Sequence, residues 1–573
     1  MQTRKYQWKK KEVDQPTSLH LAKELNVSKV ISDILVARGI HDFDSAQNYF
    51  RPNETQFQDG FLMKGMDVSV ERLNKAISNN QTILVYGDYD VDGTCSVAMM
   101  VRFLKYLKAK VLYYQPHRET EGYGISLKSV EWSKENKIDL VIALDCGIKD
   151  FLAAEAYANE NIDLIICDHH TPSETLPNAF SILNPKQYDC TYSFKELCGC
   201  AVGLKLIQSY VHKFNLKLDF SPYFQLAAVA SAADVVPLIN ENRLITYLGL
   251  SEINKNPIEP FGLLFSKLNK LNEINLGDLI FKIAPRINAA GRLDTALLAA
   301  KYLISDSQES DQGLNKIETI NEERRKLDEL ITQQALKDLD EQPKDRFTNL
   351  VFSDSWHKGV VGIVASRIIE TYYKPTIVLC GQGDIITGSA RSVKGFDLYS
   401  ILENLKHYFV RFGGHKYAAG LSLKKENLAS FKEDFENEVG KHIQEKDLIP
   451  EINIDSELSL HQLFQGVNNQ SIPKIYRILK QMEPFGIGNP KPVFLFKGLR
   501  LESPARIVGE KHLKFIFLDS SKENKIDGIW FSSLSFLKIL KDQETMDVVG
   551  TIDENYFRGN RTMQIIIKDI RVN

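Results

Sequence analysis

No apolar run in this 573-residue chain approaches the ~18 residues that a membrane-spanning helix needs. The first residues, MQTRKYQWKKKEVD, are basic, but no apolar stretch follows them, so they do not read as a secretory signal. Cysteine is scarce. Seven residues, an odd number with no CxxC pair, argue against a disulfide framework and for a reducing cytoplasm. Cys95, Cys146 and Cys167 fall near acidic clusters, yet each sits beside an apolar run, where a buried thiol packs as a small hydrophobe. Cys198 and Cys200 in LCGCAVG read the same way. Positive charge is not in excess either: a net charge of −3 excludes a protein that coats nucleic acid through global basicity and leaves that task to local patches. There is no internal repeat and no low-complexity tract. The nucleophile motif GxSxG is absent, and LNPK lacks the context of a phosphate-loop lysine.

What is present is acid in particular places. Asp88, Asp90 and Asp92 follow directly on the apolar run TILVY, and Asp168, His169 and His170 follow directly on IDLIIC. DLVIALDCGI carries Asp145 in the same position, and FQLAAVASAADVVPL carries Asp234. Read as buried strands of a parallel sheet, four such runs deliver acids to one carboxyl edge, where open α/β sheets bind ligands. Alternate residues of an extended segment face the same way, so Asp88, Asp90 and Asp92 present a row of oxygens. Gly93 then lets the chain turn into the next helix. An EF-hand is excluded because Met99 stands where its closing Glu would be.

Carboxylates and imidazoles converging on one crevice require a cation. The oxygen-rich set suits Mn²⁺ or Mg²⁺ and is too large for one ion. Two ions ~4 Å apart are expected, lowering the pKa of a water and clamping the oxygens of a phosphoryl displacement. The reaction class is phosphoester hydrolysis.

The rest of the chain divides by pattern. Residues 1–80 read as a helical leader of the catalytic body, with amphipathic spacing at 19–40 and 66–80. Strand and helix signals alternate from Gln81 to about Leu250, placing a parallel-sheet catalytic domain at 81–313. Leu314–Gln342 contains no Gly or Pro and predicts a long helix of ~45 Å, closed by Pro343. A second α/β region covers 343–450, with strands in TNLVFS, PTIVLCG and DIITGSAR. Residues 451–573 turn to short strands, ending in MDVVGTIDE and TMQIIIKDIRV around an RGN turn. That pattern fits a small closed barrel such as an OB-fold. Its last part has a mild excess of Lys and Arg, consistent with an accessory strand binder.

At this point the residues resemble the DHH phosphoesterase superfamily, and within it the RecJ family of single-strand-specific 5′→3′ exonucleases. The motifs run in order: GDYDVDGTCS, PHRETEGYGI, LDCGI, DHH, LNPK, LCGCAVGLKL, AADVVPLINENR, APRINAAGRLD, INEERR, WHKGVVGIVASRI, GSARSVKGFDL, FGGHKYAAG and EPFGIGNPKPVF. One motif departs from the family: ASAAD places Ala230 and Ser231 where Gly and Thr are usual, with the acid, Asp234, retained.

The resemblance implies an α/β fold in which a parallel-sheet DHH domain is joined by a long helix to a DHH-associated α/β domain, followed by an OB barrel. It implies metal ligation by Asp88, Asp90, Asp92, Asp145, His169, His170 and Asp234, with Asp168 ligating or orienting the histidines. Which of the first three acids touches metal stays open. Arg118, Arg286, Arg292, Ser389 and Arg391 match the family's grip on phosphate, for which arginine offers a bidentate fork. Any one of these arginines reads equally as a salt bridge. Tyr123 would stack on a base, and Asn288, His357, Gly413, Gly414 and His415 would approach the nucleotide. The implied activity is degradation of single-stranded DNA from its 5′ end to mononucleotides, in recombination and repair. The implied setting is cytoplasmic and monomeric, with single-strand-binding protein and a helicase as partners. Two alternatives are a relative that cleaves short oligonucleotides or cyclic dinucleotides, and a DNA-binding scaffold without catalysis. Chain length argues against the first, and intact acids and histidines argue against the second.

Overall fold

A computed structural model of the chain describes residues 6–270, 273–305, 308–381, 383–466, 472–537, 545–557 and 560–572. The chain divides into two compact units. One comprises Pro52–Lys326 with Pro484–Pro490, and the other Met1–Arg51, Leu327–Glu483 and Lys491–Asn573.

The first unit is built on a five-stranded, wholly parallel sheet. Its strands lie in the order Lys110–Tyr114, Thr82–Gly87, Leu140–Leu144, Asp163–Cys167 and Ser181–Leu183. Both faces are covered, which is why the central strands read as unbroken apolar runs. Ile83, Val85, Ile142 and Ile165 point into one core with helices Met66–Ser78, Val91–Tyr106 and Gly199–Lys213. Leu84, Tyr86, Val141 and Ile166 point into another, with helices Leu127–Glu135 and Phe151–Asn159. The chain leaves Thr82–Gly87 for the edge strand Lys110–Tyr114 and returns on the other side to Leu140–Leu144. The switch point therefore lies between the strands that deliver Asp88 and Asp145. A crevice at the carboxyl end of such a reversal is the ordinary ligand site of a doubly wound sheet.

Asp234 arrives differently from the sequence reading. Its segment is not a strand: Ser221–Ala233 is a helix, and Asp234 caps its C-terminus. The helix is buried almost all round, so it shows no apolar stripe, and a continuously apolar run cannot be divided between strand and helix by periodicity. Its alanines are the residues that favour helix most.

The second unit carries a mixed five-stranded sheet in the order Phe409–His415, Ala418–Lys424, Ile385–Arg391, Thr376–Cys380 and Asn349–Ser353, parallel only in its last pair. Helix Val361–Tyr372 packs on one face, and helices Leu398–Asn404 and Leu428–His442 on the other. In the same unit, Phe494–Leu501 pairs with both Met546–Phe557 and His512–Leu518. Asn560–Val572 and Lys525–Trp530 complete the ring, closing five strands into a barrel. Of the expected RGN turn, Arg558 and Gly559 lie outside the described residues.

Residues 1–51, grouped by sequence with the catalytic leader, group in the structure with this second unit. Gln7–Lys10 forms a strand parallel to Glu451–Ile454, and the Trp8 indole N–H donates to Asp569 at 2.8 Å. The long helix runs Gln308–Asp340, and the division between units falls inside it. Among the described residues no helix is long and apolar enough to cross a membrane.

Candidate metal centre and phosphate-binding residues

The first acidic motif turns as soon as its strand ends. Asp90 is the N-cap of helix Val91–Tyr106, its Oδ1 accepting the Gly93 amide at 3.1 Å, the usual task of an aspartate there. Asp92, in the first turn, is held by a different helix. The amides of Gly199 and Cys200 donate to its two carboxylate oxygens, each at 2.7 Å, so the positive end of helix Gly199–Lys213 faces a buried acid. Asp145 adopts φ +62°, a left-handed conformation uncommon for a side-chain-bearing residue. Helix Gly199–Lys213 also braces this residue: a methyl group at Gly199 would stand 2.6 Å from the Asp145 Cβ.

Asp168 has both carboxylate oxygens occupied by neighbouring donors. Its Oδ1 accepts the amides of His169 (2.7 Å) and His170 (3.1 Å) and the His170 Nδ1–H (2.8 Å), while Oδ2 accepts the Ile148 amide at 3.0 Å. Asn184 Nδ2 donates to the His170 carbonyl at 2.9 Å. The Tyr123 hydroxyl lies 3.1 Å from His170 Nδ1.

The remaining side chains meet. His169 Nε2 is 3.2 Å from Asp145 Oδ1 and 3.7 Å from Asp234 Oδ2. Three overlapping trios bring one ligand atom from each member within 4.8 Å of the others: Asp88, Asp90 and Asp145; Asp145, His169 and His170; Asp92, His169 and Asp234. Asp145 and His169 are each shared by two trios. All three acids of the first motif take part.

Burial pushes the Asp88, Asp92 and Asp145 carboxyls well above the usual range, and neighbouring acids push them further. Burial also raises Asp90 and lowers His169. Asp168 behaves oppositely. Burial alone would raise it, but the His170 hydrogen bond and charge, with the Ile148 amide, hold it at about 2. Burial lowers His170 in turn, and the same Asp168 contact outweighs it and leaves the imidazole raised. Asp88 Oδ1, Asp145 Oδ1, Asp234 Oδ2 and His169 Nδ1 are buried with no hydrogen-bond partner. Orphaned carboxylate oxygens grouped beside imidazoles, on acids that ionise reluctantly, are a donor set for hard divalent cations. The residues present fit a metal pair.

The residues put forward for phosphate divide between the units. In the first unit, Arg118 lies over the Tyr89 ring, 5.1 Å from its centroid, and Tyr123 is half exposed. Arg286 is committed elsewhere: its Nε donates to Glu318 and its Nη1 to the Lys282 carbonyl, both at 2.6 Å. That ties helix Ala284–Leu293 to the long helix, which is the salt-bridge reading of this arginine. Asn288 and Arg292 share its helix and are part-buried.

In the second unit, Arg391 Nη1 donates to Ser389 Oγ at 2.8 Å. A methyl group at Gly362, in the first turn of Val361–Tyr372, would stand 3.3 Å from both Arg391 Nη2 and Ser389 Oγ. A guanidinium and a hydroxyl beside a helix N-terminus are the elements of an anion site. The His357 ring accepts the Gly359 amide at 3.0 Å. Gly413, Gly414 and His415 are exposed on the hairpin strand Phe409–His415.

Sequence reasoning gave no role to Asn184, to Tyr89, or to the Gly199–Cys200 amides. LNPK and LCGC marked two of these places, but contacts made by an amide or a backbone N–H leave no signature of their own.

The family model of the DHH family, N-terminal domain, matches residues 82–232, that of the DHHA1 domain residues 345–441, and that of the RecJ OB domain residues 454–569. The single-stranded-DNA-specific exonuclease RecJ of Bacillus subtilis (strain 168) is 33% identical over 99% of this chain and 71% of its own length. This chain belongs to the RecJ family. Among solved structures, RecJ of Thermus thermophilus in complex with Mn²⁺ is similar with a TM-score of 0.84 at 27% identity, covering 100% of this chain and 80% of that one. The complex of the same protein with Mg²⁺ gives 0.78 at 26% identity, covering 99% and 78%. The RecJ architecture, with parallel-sheet domain, second α/β domain and closed barrel, is the one described above. The sheet edge carrying Asp88 to His170 lies inside the first match, and Asp234 stands just beyond it.

Proposed function

We infer that this chain is a metal-dependent exonuclease that hydrolyses single-stranded DNA from its 5′ end, releasing 5′-mononucleotides, and that it acts in recombination and repair. The observation that carries this is the meeting of three ligand trios at the switch point of the parallel sheet, in a chain of the RecJ family. Asp88, Asp90, Asp92, Asp145, His169, His170 and Asp234 would hold two Mn²⁺ or Mg²⁺ ions, which supply Lewis acidity and activation of the attacking water when bound.

The chain's own residues prepare that site. Asp168 accepts the His170 Nδ1–H, fixing the tautomer that offers Nε2 as the lone-pair nitrogen. The Gly199 and Cys200 amides aim Asp92. Arg118 and Arg292, with Ser389 and Arg391 in the second unit, engage backbone phosphates, and Asn288, His357, Gly413, Gly414 and His415 line the approach of the nucleotide. Tyr123, half exposed, offers a face on which a base stacks without sequence preference.

The division of labour places catalysis in 81–313, preceded by the part of the leader beyond residue 51 that groups with it, then the linking helix 314–342, a phosphate-engaging domain at 343–450 and a strand-binding barrel at 451–573. The setting is the cytoplasm, the chain acts as a monomer, and single-strand-binding protein and a helicase supply and clear its substrate. The test is incubation of 5′-phosphorylated single-stranded DNA with Mn²⁺, comparing wild type with Asp145→Ala. Loss of nucleotides from the 5′ end by the wild type alone is expected. Turnover of dinucleotides without attack on long strands, or binding without hydrolysis, would overturn the reading.

A further inference from the structure

Tyr89 stands between Asp88 and Asp90, yet its side chain takes no part in the ligand trios. Its ring lies against a guanidinium, the Arg118 Cζ being 5.1 Å from the centroid. Its main chain is held from another side. A methyl group at Gly291 would come within 2.3 Å of the Tyr89 carbonyl oxygen, so helix Ala284–Leu293 packs directly on this turn. The loop that carries Arg118 is fixed on its far side by Glu121, which accepts the His117 amide (2.9 Å), the Tyr114 hydroxyl (2.9 Å) and the Ser126 hydroxyl (2.6 Å). Among the described residues nothing hydrogen-bonds or ion-pairs with the Arg118 guanidinium; the Tyr89 face lies against it, and the charge of Asp88 attracts it.

An aromatic face is suited to that task. It attracts a guanidinium without occupying any of its N–H donors, whereas Arg286 has spent two of its donors on Glu318 and the Lys282 carbonyl. We propose that Tyr89 is a positioning residue: its ring sets the Arg118 guanidinium at a fixed distance from the acids on either side, so that a DNA phosphate gripped by Arg118 is placed in register with the bond to be cut. The proposal rests on the reading of Arg118 as a phosphate ligand.

The experiment measures kcat and KM on single-stranded DNA, and Mn²⁺ affinity by titration, for wild type, Tyr89→Phe, Tyr89→Leu, Arg118→Ala and the Tyr89→Leu/Arg118→Ala double variant. Phe keeps the ring face and holds KM near wild type, whereas Leu raises KM about 5-fold, the scale of a partly desolvated cation–π contact. Arg118→Ala raises KM further, and the double variant is no worse than Arg118→Ala alone, because the ring acts only through the guanidinium. Mn²⁺ affinity stays the same in Tyr89→Leu. Additive losses in the double variant would overturn the proposal, as would a Phe variant as impaired as Leu. So would a loss of Mn²⁺ affinity in Tyr89→Leu, which would make the ring a support for the acids. An unchanged KM in Arg118→Ala would remove the phosphate reading itself, and the proposal with it, while wild-type exonuclease activity would stand.

Discussion

At the scale of the residue, the sheet edge holds acids that its surroundings disfavour. Asp145 shows this most sharply: it is buried, its backbone is left-handed, and its Oδ1 has no hydrogen-bond partner. Asparagine tolerates that backbone well and carries no charge, so Asp145→Asn separates function from fold. Its exonuclease activity is expected to fall by more than about 100-fold, the upper end of what a change outside the ligand set costs. The thermal midpoint of the metal-free protein is expected to rise, because a buried, reluctantly ionised carboxyl has been removed. An activity assay beside a melting curve checks both. Asp168 makes the complementary case. Held at about 2 by its histidine and amide partners, it is ionised at any working pH and uses both oxygens as acceptors. Asp168→Asn puts an N–H₂ group where an acceptor is required and unfixes the His170 tautomer, so Mn²⁺ affinity should drop about 10- to 100-fold, read by calorimetric titration.

At the scale of the element, helix Gly199–Lys213 does two jobs with its first turn: its amides hold Asp92, and its missing side chain makes room for Asp145. Gly199→Ala forces one of them to move. The expected outcome is a loss of Mn²⁺ affinity and of cleavage with an unchanged far-ultraviolet circular dichroism spectrum; retained affinity would show that the helix yields instead. The same helix marks the limit of what the sequence makes legible. Strands such as Leu140–Leu144 are plain because both their faces are buried, leaving an unbroken apolar run with an acid at its end. Ser221–Ala233 is equally apolar for a different reason, burial all round a helix, and its alternation carries no information that separates the two. Gln7–Lys10 is a strand through its backbone pairing with Glu451–Ile454, and nothing in QWKK requires it. Within the site, the acids and histidines are legible because chemistry demands those residue types. Asn184 and Gly199 are not, because they act on neighbours that only the fold supplies.

At the scale of the whole molecule, the acid cluster couples stability to pH and to metal. Asp88, Asp92 and Asp145 have folded-state pKa values raised by burial. Below the unfolded value, ~3.9 for aspartate, both states are protonated and these groups favour neither. As pH rises above it, the unfolded chain releases its protons first, so the metal-free fold loses stability until the folded values are passed. Asp168, held low, works the other way: its contribution is present above the unfolded pKa and is lost only as pH falls toward about 2, leaving it constant near neutrality. Divalent cations bind the ionised acids alone, so binding releases protons and tightens as pH rises. A ligand at 100 times its Kd stabilises the folded state by about 2.7 kcal/mol. Melting curves with and without Mn²⁺ from about pH 5 to about pH 8 should therefore diverge: the metal-free midpoint falls with pH, and the rise produced by Mn²⁺ grows. A metal-induced rise that shrinks with pH would mean that the trios are not the ligand set, because their acids and their histidines alike become better donors by losing a proton across that range. Repeating the melts with Asp145→Asn separates the two, since removing the shared carboxylate flattens the pH dependence if acids dominate and leaves it intact if His169 and His170 do.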